Sequence, residues 1–158
     1  MVLFFEIWAQ VSYSSSFVFS GFNVQSILIF ATAPLLLGIG QSLVIISGGI
    51  DLSVGFVMGL SAVVLATVVQ SFSGEAHGVA LAIGILITFL VCLIPGLING
   101  LLVTKLKVPP FIGTLGMYGV ARGSGFIIAD GMTVPVDNDW LYKLGTEKIL
   151  GIPIVVLI

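Results

Sequence analysis

Long apolar runs separated by short polar clusters set the pattern of this chain. No Asp, Glu, Lys or Arg occurs from residue 7 to 50, nor from 52 to 74. A helix crosses the bilayer with about 20 apolar residues, and several runs meet that length. Five hydrophobic segments can be marked. The first, about residues 2–20, is interrupted by Glu6, Gln10 and the serines from Ser12 to Ser16, which makes it a weak span. The second, about 24–46, contains Pro34, which should kink it or split it into a lead-in and a longer span. The third covers 52–72, and a short loop over 73–78 leads into the fourth, 79–104. At 1.5 Å per residue the fourth would measure roughly 39 Å, beyond the hydrocarbon core, and Pro95-Gly96 offers a kink to absorb the excess. The fifth starts at Pro109-Pro110, where proline suits the first helical turn, and runs to about 129.

After the fifth segment the character changes. Residues 130–148 collect Asp130, Asp137, Asp139, Lys143, Glu147 and Lys148 with Trp140 and Tyr142. The pattern is that of an aqueous loop with aromatic residues suited to the interface. From Gly151 the chain turns apolar again, as a last span begun at 151.

Composition sharpens this into a class. Of 158 residues, 58% are hydrophobic and 8% charged, with a mean hydropathy of +1.27. Soluble domains carry about 25% charged residues. The expected fold is an all-α polytopic transmembrane helical bundle, a single permease-like region with about four to five spans. A net charge of -2 leaves no basic surface for nucleic acid. The lone Cys92 allows no internal disulfide and no cysteine-based metal cluster. The N-terminus has no basic n-region and Glu6 interrupts its apolar run, so no separable signal peptide is expected. Lys105 and Lys107 make the shortest basic loop, which places it in the cytoplasm. Counting spans from there puts the 73–78 and 130–148 loops outside and the 48–53 turn on the cytoplasmic side.

Few residues are candidates for chemistry. An Asp at the bilayer centre costs roughly 2.5 kcal/mol or more, so Asp51, isolated between uncharged stretches, needs a reason. Around it stand Gly48, Gly49, Ile50, Leu52 and Ser53. In one reading a glycine ends the second helix in a left-handed conformation and Asp51 caps the third by accepting from its first free N–H groups. In the other the segment is a helix break at membrane depth whose backbone and acid line a pathway. The two are compatible. The pairs Gly55/Gly59, Gly96/Gly100 and Gly119/Gly123 have the spacing that lets helix backbones approach closely. Arg122 interrupts an uncharged stretch and needs a partner or a route to the interface. Asn99 and Thr114 are intramembrane polar residues suited to interhelical hydrogen bonds or to a pathway. His77 beside Glu75, with no second histidine, makes no metal site. No nucleophile–base–acid set and no phosphate-binding loop is present, so the expected class is a transporter subunit rather than an enzyme, with no cofactor.

Two stretches carry a resemblance. Gly38-Ile-Gly-Gln-Ser-Leu-Val-Ile-Ile-Ser-Gly-Gly-Ile-Asp-Leu-Ser-Val-Gly55 is one. Gly96-Leu-Ile-Asn-Gly-Leu-Leu-Val-Thr-Lys-Leu-Lys-Val-Pro-Pro-Phe-Ile-Gly-Thr-Leu-Gly-Met117 is the other. With Arg122-Gly123 and Asp130-Gly131, the chain from about Leu3 onward resembles the membrane-spanning permease subunits of bacterial ABC sugar importers, the ribose/xylose/galactoside permease family. That resemblance implies a multi-pass protein of the bacterial plasma (inner) membrane that forms a translocation path for a monosaccharide such as ribose or a similar pentose or hexose. It implies a second permease copy or paralogue, cytoplasmic ATPase subunits that hydrolyse ATP, a periplasmic or lipid-anchored sugar-binding protein, and surrounding membrane lipid. It also implies roughly twice this length and about ten spans, so that the chain resembles an N-terminal half with a shortened first span and without the usual basic leader. Within it Gly48, Gly49, Asp51 and Ser53 would hold a helix break that moves or couples. Asn99, Thr114 and Arg122 would pack near the path, and Lys105, Lys107, Pro109 and Pro110 would form a cytoplasmic loop. Two other readings remain: a permease of the related branched-chain amino acid or nucleoside importers, and a truncated, non-transporting fragment.

Overall fold

Helices account for nearly all the regular structure. The computed structural model describes residues 1–72 and 77–157. Glu75 and most of the 73–78 loop therefore lie outside the described residues. The helices are α1 (Val2–Tyr13), α2 (Gly21–Ile46), α3 (Val54–Ser71), α4 (His77–Thr104), α5 (Pro110–Ile128), α6 (Asp139–Thr146) and α7 (Ile154–Leu157). A two-residue antiparallel pair, β1 (Lys148–Ile149) and β2 (Ile152–Pro153), is joined through Leu150 and Gly151, both at positive φ. Three helices, α2, α3 and α4, are long and apolar enough to cross a membrane. α5, with 19 residues, has the length for about 28 Å, with Arg122 and several glycines in its sequence.

Several boundaries differ from expectation for identifiable reasons. The first segment is helical only to Tyr13, where Ser14 turns left-handed at φ 50. α2 continues through Pro34 and α4 through Pro95, so neither proline splits its helix. The acidic stretch before the hairpin is not all loop. Asn138 accepts at its Oδ1 from the N–H groups of Trp140 (3.0 Å) and Leu141 (3.2 Å), the arrangement of a helix N-cap, and α6 follows it. Past Gly151, the last described helix has only four residues.

The chain divides into two units, Met1–Leu36 with Leu144–Ile158, and Leu37–Lys143. In the second, α3 packs on both α4 and α5. Leu60, Val64 and Ala121 are buried together, with Phe56, Val57, Val68 and Val91 packed against them. The buried stripe of α5 runs Gly113, Met117, Ala121 and Gly125, every fourth residue along one ridge. On α4 the outward residues are large and apolar, among them Leu86, Phe89, Leu90 and Leu97. Buried positions include the polar residues Ser53, Asn99, Thr114 and Asn138. Apolar outside with polar contacts inside is the distribution a lipid solvent selects.

Close helix approach occurs at glycines other than those the spacing singled out. A Cβ at Gly84 would lie 2.9 Å from the Leu65 side chain and 3.0 Å from that of Val69. At Gly125 it would lie 3.7 Å from the Cα of Leu60. At Gly55, Gly59, Gly96, Gly100, Gly119 and Gly123 it would meet nothing within 4 Å among the described residues. The three pairs expected to seat helices therefore do not do so here. Each pair lies off the ridge along which α3, α4 and α5 touch.

In the first unit Glu6 replaces a transmembrane continuation with a local clamp. Its Oε1 accepts from Gln10 (2.8 Å) and Ser16 Oγ (2.9 Å), and its Oε2 from the N–H groups of Phe17 (2.9 Å) and Val18 (2.8 Å). Those bonds, led by the one from Val18, hold its carboxyl below the usual range. Twelve residues of α1 reach only about 18 Å, too short to cross.

Candidate functional site

α2 ends at Ile46 in a Schellman motif. Gly48 takes φ 79, its N–H reaches Ile45 O at 2.9 Å, and the Gly49 N–H reaches Val44 O at 2.9 Å. Glycine supplies the left-handed turn without the penalty a Cβ would bring. The chain then runs extended through Ile50 to Ser53 before α3 opens at Val54.

Asp51 does not cap α3 in the expected way. Its Oδ1 accepts from the Ser53 N–H at 2.7 Å and from Ser53 Oγ at 2.6 Å. Ser53 itself stands at the cap position, and no side chain there bonds to the helix N–H groups. The reason is register: α3 starts two residues later than expected, so the carboxylate reaches the cap residue and goes no further. Asp51 thus folds a short side-chain-closed turn that fixes the approach to α3.

Three further side chains tie this turn down. Gln41 Nε2 donates to Asp51 O at 3.1 Å. Asn99 Nδ2 donates to Ser53 Oγ at 3.1 Å, a buried bond from the middle of α4. Thr114 Oγ1 lies 2.8 Å from Pro110 O on its own helix and 3.3 Å from Ile50 O. Ser53, Asn99 and Thr114 are all buried, so water does not compete for these bonds. The structure therefore brings Asp51, Ser53, Asn99 and Thr114 to one node joining the α2–α3 turn to α4 and α5. Gln41 belongs to that node and was not singled out by the sequence. Its signal was a lone amide in an uncharged helix, but spacing alone does not disclose which backbone group it meets.

A pocket of about 410 Å³ adjoins the node, lined by Gly49, Asp51, Gly96, Asn99, Gly100 and Thr114 among others. The polar groups on its wall are mainly acceptors, the carboxylate of Asp51 and the Oδ1 of Asn99. No group of three or more metal-ligating side chains occurs among the described residues.

The remaining candidates stand elsewhere. Arg122 is exposed on α5, its guanidinium carbon 5.7 Å from the Phe56 ring centre, and Phe56 stacks edge-on with Tyr118 at 4.2 Å. Lys105 and Lys107 are exposed in the turn between α4 and α5, with Lys107 left-handed at φ 56. Pro109 precedes α5 and Pro110 fills its first position, where a missing N–H costs nothing. His77 opens α4. Its carbonyl accepts from Asn138 Nδ2 at 3.0 Å and its Nδ1 from the Asp139 N–H at 3.2 Å, a structural task that joins α4 to the start of α6.

Comparison with known proteins supplies the lineage. Residues 23–148 match the family described as branched-chain amino acid transport system / permease component. The autoinducer 2 import system permease protein LsrC of Photorhabdus luminescens is 36% identical over 134 residues, 83% of this chain and 39% of that protein. The fructose import permease protein FrcC of Rhizobium meliloti is 37% identical over 116 residues, 73% of this chain and 31% of its own length. The galactofuranose transporter permease protein YtfT of Escherichia coli is 37% identical over 127 residues, 80% of this chain and 36% of its own length. The chain thus spans less than half the length of the curated relatives it matches. No solved structure matches it. With most of its length inside the family match and three membrane-length apolar helices, the chain belongs to the family of branched-chain amino acid transport system permease components, multi-pass proteins of the bacterial plasma membrane.

Proposed function

We propose that this chain forms part of the translocation path of an ATP-binding-cassette importer for a monosaccharide or similar small polyhydroxylated solute. The observation that carries this is the hydrogen-bonded break between α2 and α3, set in a chain that is similar to permeases named for fructose and galactofuranose import. Helix breaks inside membrane proteins are tolerated where they are buried in protein or line a cavity, and such places carry solute sites. The break here is braced from three helices and opens on a pocket. Asp51 and Ser53 hold that break as a unit that can move or couple. Asn99 and Thr114 fasten it to α4 and α5. Arg122, whose charge must be covered by protein or water, anchors packing beside the path. The turn with Lys105, Lys107, Pro109 and Pro110 faces the cytoplasm, following the positive-inside rule.

In this reading the permease does no covalent chemistry. A second permease copy or paralogue completes the path, a separate solute-binding protein delivers the sugar, and ATPase subunits drive the cycle. Ribose is one candidate sugar among pentoses and hexoses. A second reading, import of a branched-chain amino acid, is favoured by the description of the matching family itself. Uptake separates the two. Cells that carry the complete permease with its ATPase and binding protein are given radiolabelled D-ribose, D-fructose, D-galactose and L-leucine. Energy-dependent uptake of at least one sugar, with none of leucine, is expected. Uptake of leucine alone would assign the second reading.

A further inference from the structure

Asn99 carries an acceptor that the protein leaves unused. Its Nδ2 donates to Ser53 Oγ at 3.1 Å, and Ser53 Oγ lies 2.6 Å from Asp51 Oδ1. An oxygen–oxygen distance that short beside a carboxylate requires the serine proton between the two atoms. Ser53 Oγ can therefore only accept from Asn99. This fixes the amide, with Nδ2 towards Ser53 and Oδ1 turned away from it. Asn99 is 6% exposed, and its Oδ1 is fully buried with no hydrogen-bond partner among the described residues. A buried acceptor without a donor is costly, so such a group in a native protein calls for an explanation.

The surroundings narrow the donor. Asn99 lines the pocket of about 410 Å³ together with Asp51, Gly49, Gly96, Gly100 and Thr114. The Thr114 hydroxyl has one proton, already directed at the carbonyls of Pro110 and Ile50, and the Asp51 carboxylate has none to give. A molecule that fits this wall brings several donors of its own. The volume lies within the range of small-molecule sites and far exceeds what a bare cation fills. The glycines leave smooth apolar surface for C–H groups. Hydroxyls arrayed on a small carbon ring match all three conditions.

We propose that Asn99 Oδ1 accepts a hydrogen bond from one hydroxyl of the transported sugar, in a monosaccharide-sized pocket between the Gly48–Asp51 break, α4 and the first turn of α5. The proposal rests on the sugar-import reading above. It assigns Asn99 two tasks on opposite sides of one amide: Nδ2 braces the break and Oδ1 meets the solute. The room in the pocket comes from Gly96 and Gly100, one helical turn apart on either side of Asn99, where an added Cβ would meet no other atom.

The test uses the complete permease with its ATPase and binding protein in cells. Uptake is measured at saturating concentration for D-ribose, D-fructose, D-galactose and each monodeoxy analogue of whichever is carried. Saturation matters because the binding protein filters sugars before they reach the membrane. Asn99→Leu keeps the shape and removes both polar atoms. It is expected to slow the parent sugar about five- to tenfold, as loss of one neutral hydrogen bond does, while one monodeoxy analogue keeps its wild-type rate. Gly100→Leu adds a good helix former that enters the pocket, and should slow every sugar at least tenfold with the normal amount of permease in the membrane. If Asn99→Leu slows the parent and all analogues by one common factor, or slows none, the contact does not exist. If Gly100→Leu leaves rates per permease unchanged, the pocket is not on the path. If wild type carries none of the sugars, the sugar reading fails and the inference with it, an outcome distinct from the other two.

Discussion

Ser53 shows how much one small side chain can hold. It is 1% exposed, donates twice to Asp51 and accepts from Asn99. Ser53→Ala removes the hydroxyl and strands the Asn99 amide donor in a buried place, at a cost of about 1–3 kcal/mol. Thermal unfolding of the full-length permease in detergent should show a lowered midpoint, and an unchanged midpoint would mean the node is not structural. Asp51 was legible in the sequence because a lone charge in apolar surroundings stands out. Its bond to Ser53 was not, because that depended on where α3 begins. Glu6 offers a pH test. Its folded-state carboxyl is held low, chiefly by the Val18 N–H, so the clamp is stable above the ordinary carboxylate range and is lost as pH falls through the lowered value. Amide exchange at Phe17 and Val18 should be slow at neutral pH and accelerate, relative to other turn amides, as the solution is acidified below pH ~4. Glu6→Gln should show the fast behaviour at every pH.

Among elements, hydrophobic patterning located α2 to α5 within a few residues because lipid imposes long apolar runs. It did not locate α6. That helix is short and mixed in polarity, and its start is announced only by Asn138, a capping residue that needs its two N–H partners to be recognised. Asn138→Ala should therefore cost about 0.5–2 kcal/mol, read as faster amide exchange at Trp140 and Leu141. Glycine spacing was the least reliable guide. Every Gly-x3-Gly pair has the same pattern, whichever way its face points, and contact depends on the rotation of the helix about its axis. Gly84 marks the true approach of α3 and α4, so Gly84→Leu should destabilise the permease by about 1–3 kcal/mol through forced overpacking. Gly59→Ala, in open space among the described residues, should be neutral or stabilise by up to ~1 kcal/mol. Equal melting shifts for the two would contradict this packing.

For the whole molecule, the sequence disclosed class and lineage more readily than mechanism. Composition required a membrane, and the stretch from Gly38 to Gly55 carried the family likeness that the match over residues 23–148 shows. The solute is set by groups such as Asn99 Oδ1, whose availability depends on hydrogen bonds that residues 46 positions apart make in space. Assembly is the other property of this scale. Arg122, with no acidic partner among the described residues and a ring contact to Phe56, should matter there, so Arg122→Leu is expected to lower recovery of the intact complex after detergent extraction. The central claim is that the Asp51-centred break between α2 and α3 is a working part of a sugar path. Labelled-sugar uptake by cells carrying Asp51→Ala in the full-length permease tests it most directly, with permease in the membrane fraction quantified in parallel. The account predicts uptake reduced about tenfold, which corresponds to 1.4 kcal/mol, with insertion preserved by the apolar helices on either side. Wild-type uptake at equal permease abundance would contradict it.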